Sequence, residues 1–263
     1  MIRMAGKLGL WEQKRLQRKT EEAKRRGGVS ASLFLESEMN ALSDAACFFF
    51  YGSRLCPKAL LTVFFPDEKR AEITVAEFRA NKAPVGELFQ SAIRECRRVG
   101  AEQVCTVRDP AYGFDLEKIA GIRFVHEWSE YMLSVGMKEL AAAPEGSREE
   151  TTLKKEEAPE EDGTLRYVLL LDGTEAAECR ILPMAEGNRC YLFGLETKPE
   201  FRNRGFATEL MTRIAKEYAG RPGAVLRLQV SSENVPAERL YRKLGFVTEE
   251  EREYYRTEVS DGK

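Results

Sequence analysis

Residues 202–208 read RNRGFAT and stand between a strand-like run and an amphipathic helix, and residues 234–246 read NVPAERLYRKLGF. Gly205 lets a ligand approach the main chain closely because glycine has no Cβ atom. The start of a helix presents backbone N–H groups that favour an anion. The first stretch is therefore typical of a phosphate-binding loop. The helix that follows carries a predicted apolar stripe of Leu210, Met211, Ile214, Ala215 and Tyr218.

The two stretches together resemble the acetyl-CoA site of the GNAT family of N-acetyltransferases. In that family a loop of the type Arg-x-x-Gly-x-Ala is followed by an Asn, a Tyr and a Leu-Gly-Phe triplet, as Asn234, Tyr241 and residues 244–246 are here. The loop alone is a weak signal, whereas the combination at this spacing is specific. The resemblance implies an α/β fold with a mixed sheet flanked by helices. It also implies an acyltransferase that transfers the acetyl group of acetyl-CoA to a primary amine by direct attack in a ternary complex.

The resemblance assigns the contacts with acetyl-CoA residue by residue. It places the pyrophosphate at the loop, where Thr208 begins the helix with its N–H and hydroxyl facing the anion. It places the pantetheine arm beside Asn234 and along the strand before the loop, where a backbone N–H can also polarise the thioester carbonyl. The cofactor-binding residues implied in this way are Leu195, Glu196, Thr197, Arg202, Asn203, Arg204, Gly205, Phe206, Ala207, Thr208 and Asn234.

Two catalytic roles are also implied. Tyr241 matches the tyrosine that protonates the departing thiolate, which is general acid catalysis. Glu196 is the candidate general base, because it lies on the strand beside the thioester. Some relatives carry a Glu at the position of Gln229, and since an amide cannot accept the proton, a water relay stays open beside Glu196.

Each of these residues also has a structural interpretation. Tyr241 fits an apolar stripe with Leu240 and Leu244, as a core tyrosine would. Asn234 fits the N-cap of a helix, alone or in addition to a contact with pantetheine. Glu196 fits a solvated strand position.

The two halves of the sequence resemble each other at an offset of 122–124 residues. Glu77-Phe78-Arg79 and Glu200-Phe201-Arg202 each precede an amphipathic helix, for example. We therefore predict two tandem lobes of one fold. Residues 1–140 form the first lobe, which begins with a basic helix, and residues 164–263 form the acetyl-CoA-binding lobe. Residues 141–163, rich in Glu, Lys, Ala, Pro and Gly, are predicted to be a charged linker.

The first lobe is predicted to be degenerate. Residues 79–86 replace the phosphate loop but lose the Gly-x-Ala spacing, and Pro84 removes one backbone N–H. Residues 108–120 offer no counterpart of Asn234 or Tyr241, unless Tyr112 is a displaced counterpart of Tyr241. We expect this lobe to cover the second and to shape the acceptor cleft.

Composition narrows the class of protein. The formal charge of −2 gives no indication of a nucleic-acid partner, and no apolar run is long enough to span a membrane. Six scattered cysteines without a Cys-x-x-Cys pair read as small apolar residues, and the N-terminus lacks a signal-peptide core. We expect a cytoplasmic protein. His126, the only histidine, has no evident partners for catalysis or for a metal site, and no metal is predicted.

Two further functions stay open. One is a non-catalytic acyl-CoA-binding or regulatory protein that keeps the cofactor site without turnover. The other is an interaction module with vestigial loops, which would bind no CoA. The sequence identifies neither the amine acceptor nor the oligomeric state.

Overall fold

The computed structural model divides the chain into two compact units. Unit 1 consists of Met1–Ser129 and Arg252–Lys263, and unit 2 of Glu130–Glu251. The structure describes residues 1–28, 46–78, 83–110, 112, 116, 119, 121–144, 146, 149–157, 163–184 and 188–259.

Unit 1 has one mixed sheet with helices on its faces. Its elements in chain order are β1 (Ile2–Ala5), α1 (Leu10–Lys24), β2 (Ala46–Gly52), β3 (Pro57–Phe64), β4 (Arg70–Glu77), α2 (Val85–Arg98), β5 (Gln103–Arg108), the start of β6 (Val125–Gly136) and the end of β12 (Val247–Glu258). The strand order is β1-β2-β3-β4-β5-β12. Strands β4 and β5 are parallel, and the neighbouring pairs are antiparallel.

Apolar side chains are buried on both faces of the unit 1 sheet. Neighbouring strand residues point to opposite faces, so Leu61 of β3 packs in one core with Leu88 of α2, while Leu60 packs in a second core with Leu16 of α1. The basic helix predicted at the start of the first lobe is therefore α1, and it packs on the unit 1 sheet. No helix among the described residues is long and apolar enough to cross a membrane.

Unit 2 repeats this plan. It contains the rest of β6, α3 (Met137–Ala141), β7 (Thr151–Glu157), β8 (Leu165–Leu171), β9 (Thr174–Pro183), β10 (Arg189–Thr197), a 3₁₀ turn (Pro199–Phe201), α4 (Phe206–Tyr218), β11 (Val225–Ser231), α5 (Val235–Lys243) and the start of β12. The strand order is β6-β11-β10-β9-β8-β7, with β10 and β11 parallel. The apolar stripe predicted for α4 is fully buried against the sheet. The predicted fold class, a mixed sheet flanked by helices, is confirmed.

The two halves of the sequence exchange their last strands. Residues 130–136 of β6 come from the first half of the sequence but pair with β11 in unit 2. Residues 253–258 of β12 come from the second half but pair with β5 in unit 1. The compact units therefore differ from the predicted lobes, residues 1–140 and 164–263. The sequence offset identifies the repeat but carries no information about which sheet a final strand joins.

The prediction that residues 141–163 form a linker is wrong in part. Thr151–Glu157 is a strand that pairs in antiparallel register with β8 at the edge of the unit 2 sheet. Only Leu153 of this strand packs against the core, and the Lys and Glu side chains around it are exposed or form ion pairs. An edge strand needs little apolar surface, and charged residues there discourage pairing with another chain. Residues 145, 147, 148 and 158–162 of the predicted linker lie outside the described residues.

Candidate functional site

Strands β10 and β11 separate at the centre of unit 2. Their parallel pairing ends at Leu192 and Leu228, although β10 continues to Thr197 and β11 to Ser231. A β-bulge shifts the register of β10 against β9 between Phe193 and Glu196. The last third of β10 therefore turns backbone groups toward a gap, where an extended ligand can pair with them as an added strand would.

The loop after β10 leads directly into the N-terminus of α4. Asn203 and Gly205 have φ angles of 61° and 89°, in the left-handed region that glycine adopts without strain. The first backbone N–H groups of α4 have no acceptor inside the helix, and the helix dipole makes this end attractive to an anion. Arg202 braces the loop because its Nε donates to the carbonyl oxygen of Thr197 at 3.1 Å.

The gap and the loop open into one cavity of about 960 Å³. The structure brings every predicted cofactor-binding residue into its wall, together with Tyr241. The sequence reasoning missed six further lining residues, which are Gly146, Phe201, Pro236, Ala237, Leu240 and Lys243. Five of them lie within or beside the two motifs, whereas Gly146 comes from the predicted linker.

Asn234 has the capping geometry that the sequence left open. It is the N-cap of α5, and its Oδ1 accepts from the backbone N–H of Ala237 at 3.3 Å. It is also exposed in the wall of the cavity. Because its side-chain amide still has N–H donors, capping leaves it able to donate to a ligand carbonyl.

Tyr241 combines a core position with a place in the cavity wall. Its side chain is 6% exposed and its ring lies 5.5 Å from that of Phe246. Burial raises the pKa of Tyr241 to about 12. The hydroxyl therefore stays protonated at neutral pH and can donate a hydrogen bond to a ligand atom.

The two positions considered for a general base lie on neighbouring strands. Glu196 is 53% exposed and its carboxylate is 4.0 Å from Nζ of Lys198. The side-chain amide of Gln229 donates to Oε2 of Glu130 at 2.6 Å. Glu130 lies on β6, the exchanged strand, so nothing near the motifs of the second lobe could have indicated this neighbour.

A segment from the predicted linker lies against the phosphate-type loop. Glu149 binds Arg204 through both carboxylate oxygens. The Thr151 hydroxyl donates to the Glu209 carboxylate, and the carbonyl of Thr151 accepts from Arg213 at 3.2 Å. This segment therefore crosses the first turns of α4.

Within this segment, Gly146 lies closest to the backbone at the start of α4. A Cβ atom at this position would overlap the carbonyl oxygen of Gly205 and the amide nitrogen of Glu209. We expect Gly146→Ala to lower the free energy of unfolding by about 1–3 kcal/mol, because backbone atoms must move to make room. Urea unfolding measures this change. Gly220→Ala is the matched control, since a Cβ atom there meets nothing within 4 Å, and equal unfolding midpoints for the two variants would contradict the prediction.

The comparisons with known proteins agree with this geometry. Residues 126–246 match the model of the acetyltransferase (GNAT) family. This part of the chain belongs to the GNAT family. The GNAT family is one of acetyltransferases that generally use acetyl-CoA. No curated protein sequence matches the chain.

Solved structures extend the likeness to the whole chain. A GNAT protein from Sphaerobacter thermophilus is 14% identical with a TM-score of 0.66, and covers 100% of this chain and 97% of its own. A tandem GNAT protein from the clavulanic acid biosynthesis pathway is 12% identical with a TM-score of 0.66 and covers 100% of both chains. An acetyltransferase of the GNAT family from Colwellia psychrerythraea is 13% identical with a TM-score of 0.59, over 98% of this chain and 99% of its own. At these identities the likeness shows the fold, and the predicted tandem GNAT architecture is confirmed.

The corresponding helix of unit 1 has a different start. Helix α2 begins at Val85 after Pro84, which supplies no backbone N–H. Residues 79–82 of the predicted degenerate loop lie outside the described residues. In the same unit, Nε2 of His126 lies 3.2 Å from the Ser129 hydroxyl. Among the described residues, no three His, Cys, Asp or Glu side chains form a group that could hold a metal ion.

Proposed function

We propose that this protein transfers the acetyl group of acetyl-CoA to a primary amine at the cavity of unit 2. One observation carries the proposal. The left-handed Gly205 at the start of α4, the end of β10 that extends beyond its pairing with β11, and Tyr241 all line the same cavity. Each suits a different part of acetyl-CoA.

The wall of the cavity fits the anionic and extended parts of acetyl-CoA. The N–H groups at the start of α4 suit the pyrophosphate, as anions prefer this end of a helix. Between Phe193 and Thr197, the edge of β10 that no longer pairs with β11 suits the two amides of pantetheine, and Asn234 adds a side-chain donor from the cavity wall. In the proposed complex the thioester lies toward the bulge in β10.

The reaction is a direct displacement. The amine nitrogen forms a bond with the carbonyl carbon, the bond from carbon to sulfur breaks, and the sulfur leaves with the electron pair. A backbone N–H at the bulge can donate to the carbonyl oxygen as negative charge develops there. The amine loses its proton either to Glu196 or through water, and the exposure of Glu196 is compatible with both routes.

Tyr241 supports the departing sulfur. Its pKa of about 12 lies above the value of about 8.5 that is usual for a thiol. The hydroxyl is therefore a dependable hydrogen-bond donor to the thiolate, but complete proton transfer from it would be uphill. A proton from water then completes the free thiol.

Titration calorimetry with acetyl-CoA tests the proposal. We expect one molecule bound per chain, and release of free thiol when suitable primary amines are added from a panel of small amines, amino-acid derivatives and peptides. Two molecules per chain would show that unit 1 also binds. No binding would contradict the proposed function, and binding without thiol release from any amine would favour a non-catalytic acyl-CoA-binding protein.

A further inference from the structure

Three basic residues line the cavity of unit 2 among the described residues: Arg202, Arg204 and Lys243. The phosphates of CoA are strongly anionic, so a nearby cation can raise the affinity for CoA. It does so less when a carboxylate of the protein already neutralises its charge. The three residues differ in this respect.

Arg204 is already paired with a carboxylate. Its Nη2 lies 2.6 Å and 2.8 Å from the two carboxylate oxygens of Glu149, and its Nε lies 3.1 Å from one of them. The guanidinium is also held 5.3 Å from the ring centre of Phe201 and 5.2 Å from that of Phe206. Because the geometry is bidentate, a phosphate would have to displace Glu149 before it could use this charge.

Arg202 and Lys243 keep their charges available. Arg202 donates to a neutral carbonyl, which leaves its charge uncompensated. Lys243 is the last residue of α5, is exposed and lines the cavity. Among the described residues, no carboxylate lies within ion-pair distance of Lys243.

We propose that Lys243, assisted by Arg202, supplies the charge that attracts the phosphates of acetyl-CoA, and that Arg204 contributes little because Glu149 neutralises it. The inference rests on the proposed function, since it assigns roles within the same site. It places the main cation on α5, opposite the loop in which the sequence motif carries its arginines.

The neighbouring residue provides a matched control. Arg242 carries the same charge one position earlier in α5, but it pairs with Glu238 at 3.5 Å, lies over the ring of Tyr131 and does not line the cavity. Lys243→Gln and Arg242→Gln therefore change the net charge equally. Only Lys243→Gln removes a charge from the wall of the cavity.

Calorimetry on the full chain, with acetyl-CoA and with acetyl-pantetheine, tests the inference. We expect Lys243→Gln to weaken acetyl-CoA binding about fivefold, and Arg242→Gln and Arg204→Gln each to weaken it by less than about twofold. The effect of Lys243→Gln should shrink as salt is raised. It should vanish with acetyl-pantetheine, which has no phosphate. Glu149→Gln should tighten acetyl-CoA binding, since it removes a negative charge beside the phosphates.

Three outcomes would overturn the inference. Equal losses in Lys243→Gln and Arg242→Gln would show only an effect of net charge. A larger loss in Arg204→Gln than in Lys243→Gln would show that phosphate displaces Glu149. A loss that persists with acetyl-pantetheine would show that Lys243 acts through something other than phosphate. If the wild-type chain binds no acetyl-CoA, the proposed function fails first and the inference fails with it.

Discussion

Gly205→Asp is expected to abolish acetyl-CoA binding, with an affinity at least about 100-fold lower, while Gly205→Asn weakens it about tenfold. Gly205 has a φ angle of 89° at the N-cap of α4, and both Asn and Asp tolerate this left-handed conformation better than other residues with a Cβ atom. The two side chains have nearly the same shape. The difference in affinity between the two variants therefore measures the effect of a negative charge at the place where the pyrophosphate is proposed to bind.

Calorimetry gives the two affinities, and urea unfolding shows whether the variants are equally stable. Equal stability is the control, because it excludes a general loss of structure in the Asp variant. If Gly205→Asp and Gly205→Asn bind acetyl-CoA equally well, the start of α4 does not hold an anion. The site of the pyrophosphate would then have to be sought elsewhere in the cavity.

Tyr241→Phe is expected to lower kcat about 100-fold while the dissociation constant of acetyl-CoA changes by less than about twofold. Phenylalanine keeps the ring that packs beside Phe246 in the core. It loses only the hydroxyl that donates to the departing sulfur. Steady-state rates of thiol release and calorimetry on the same preparations separate the two effects.

The pH dependence offers a second check on Tyr241. Its pKa is raised to about 12, so the donor is present at neutral pH and is lost only as the pH rises toward that value. The wild-type rate should therefore show no fall due to Tyr241 below about pH 10. Tyr51→Phe, on β2 of unit 1, is the control for loss of a tyrosine hydroxyl, and a Tyr241→Phe variant as fast as this control would contradict the assigned role.

The sequence predicts the candidate site better than it predicts the arrangement of the chain. The residues of the loop and of α5 belong to two neighbouring sequence motifs, and the spacing of these motifs predicts that they line one cavity. The partner of Arg204 could not be predicted, because Glu149 lies 55 residues earlier in a segment whose composition is typical of linkers. Glu130 beside Gln229 is 99 residues away and lies on the exchanged strand.

Among the elements of secondary structure, too, some are predicted from the sequence and others are not. The periodicity of apolar residues predicts α4 well, because an amphipathic helix repeats its pattern over several turns. It misses β7, whose seven residues carry a single core side chain. Strand β7 is recognised only by its pairing with β8. Pairing depends on two segments, so the sequence of one segment alone does not reveal it.

The exchange of last strands also sets the order in which the protein can complete itself during synthesis. Residues 253–258 provide the strand beside β5, so the sheet of unit 1 stays incomplete until residues that follow all of unit 2 have been made. Unit 2, which ends at Glu251, has been synthesised in full by then. The half that is made second is thus finished first, and a cut between the two repeats would leave neither fragment with a full set of strands.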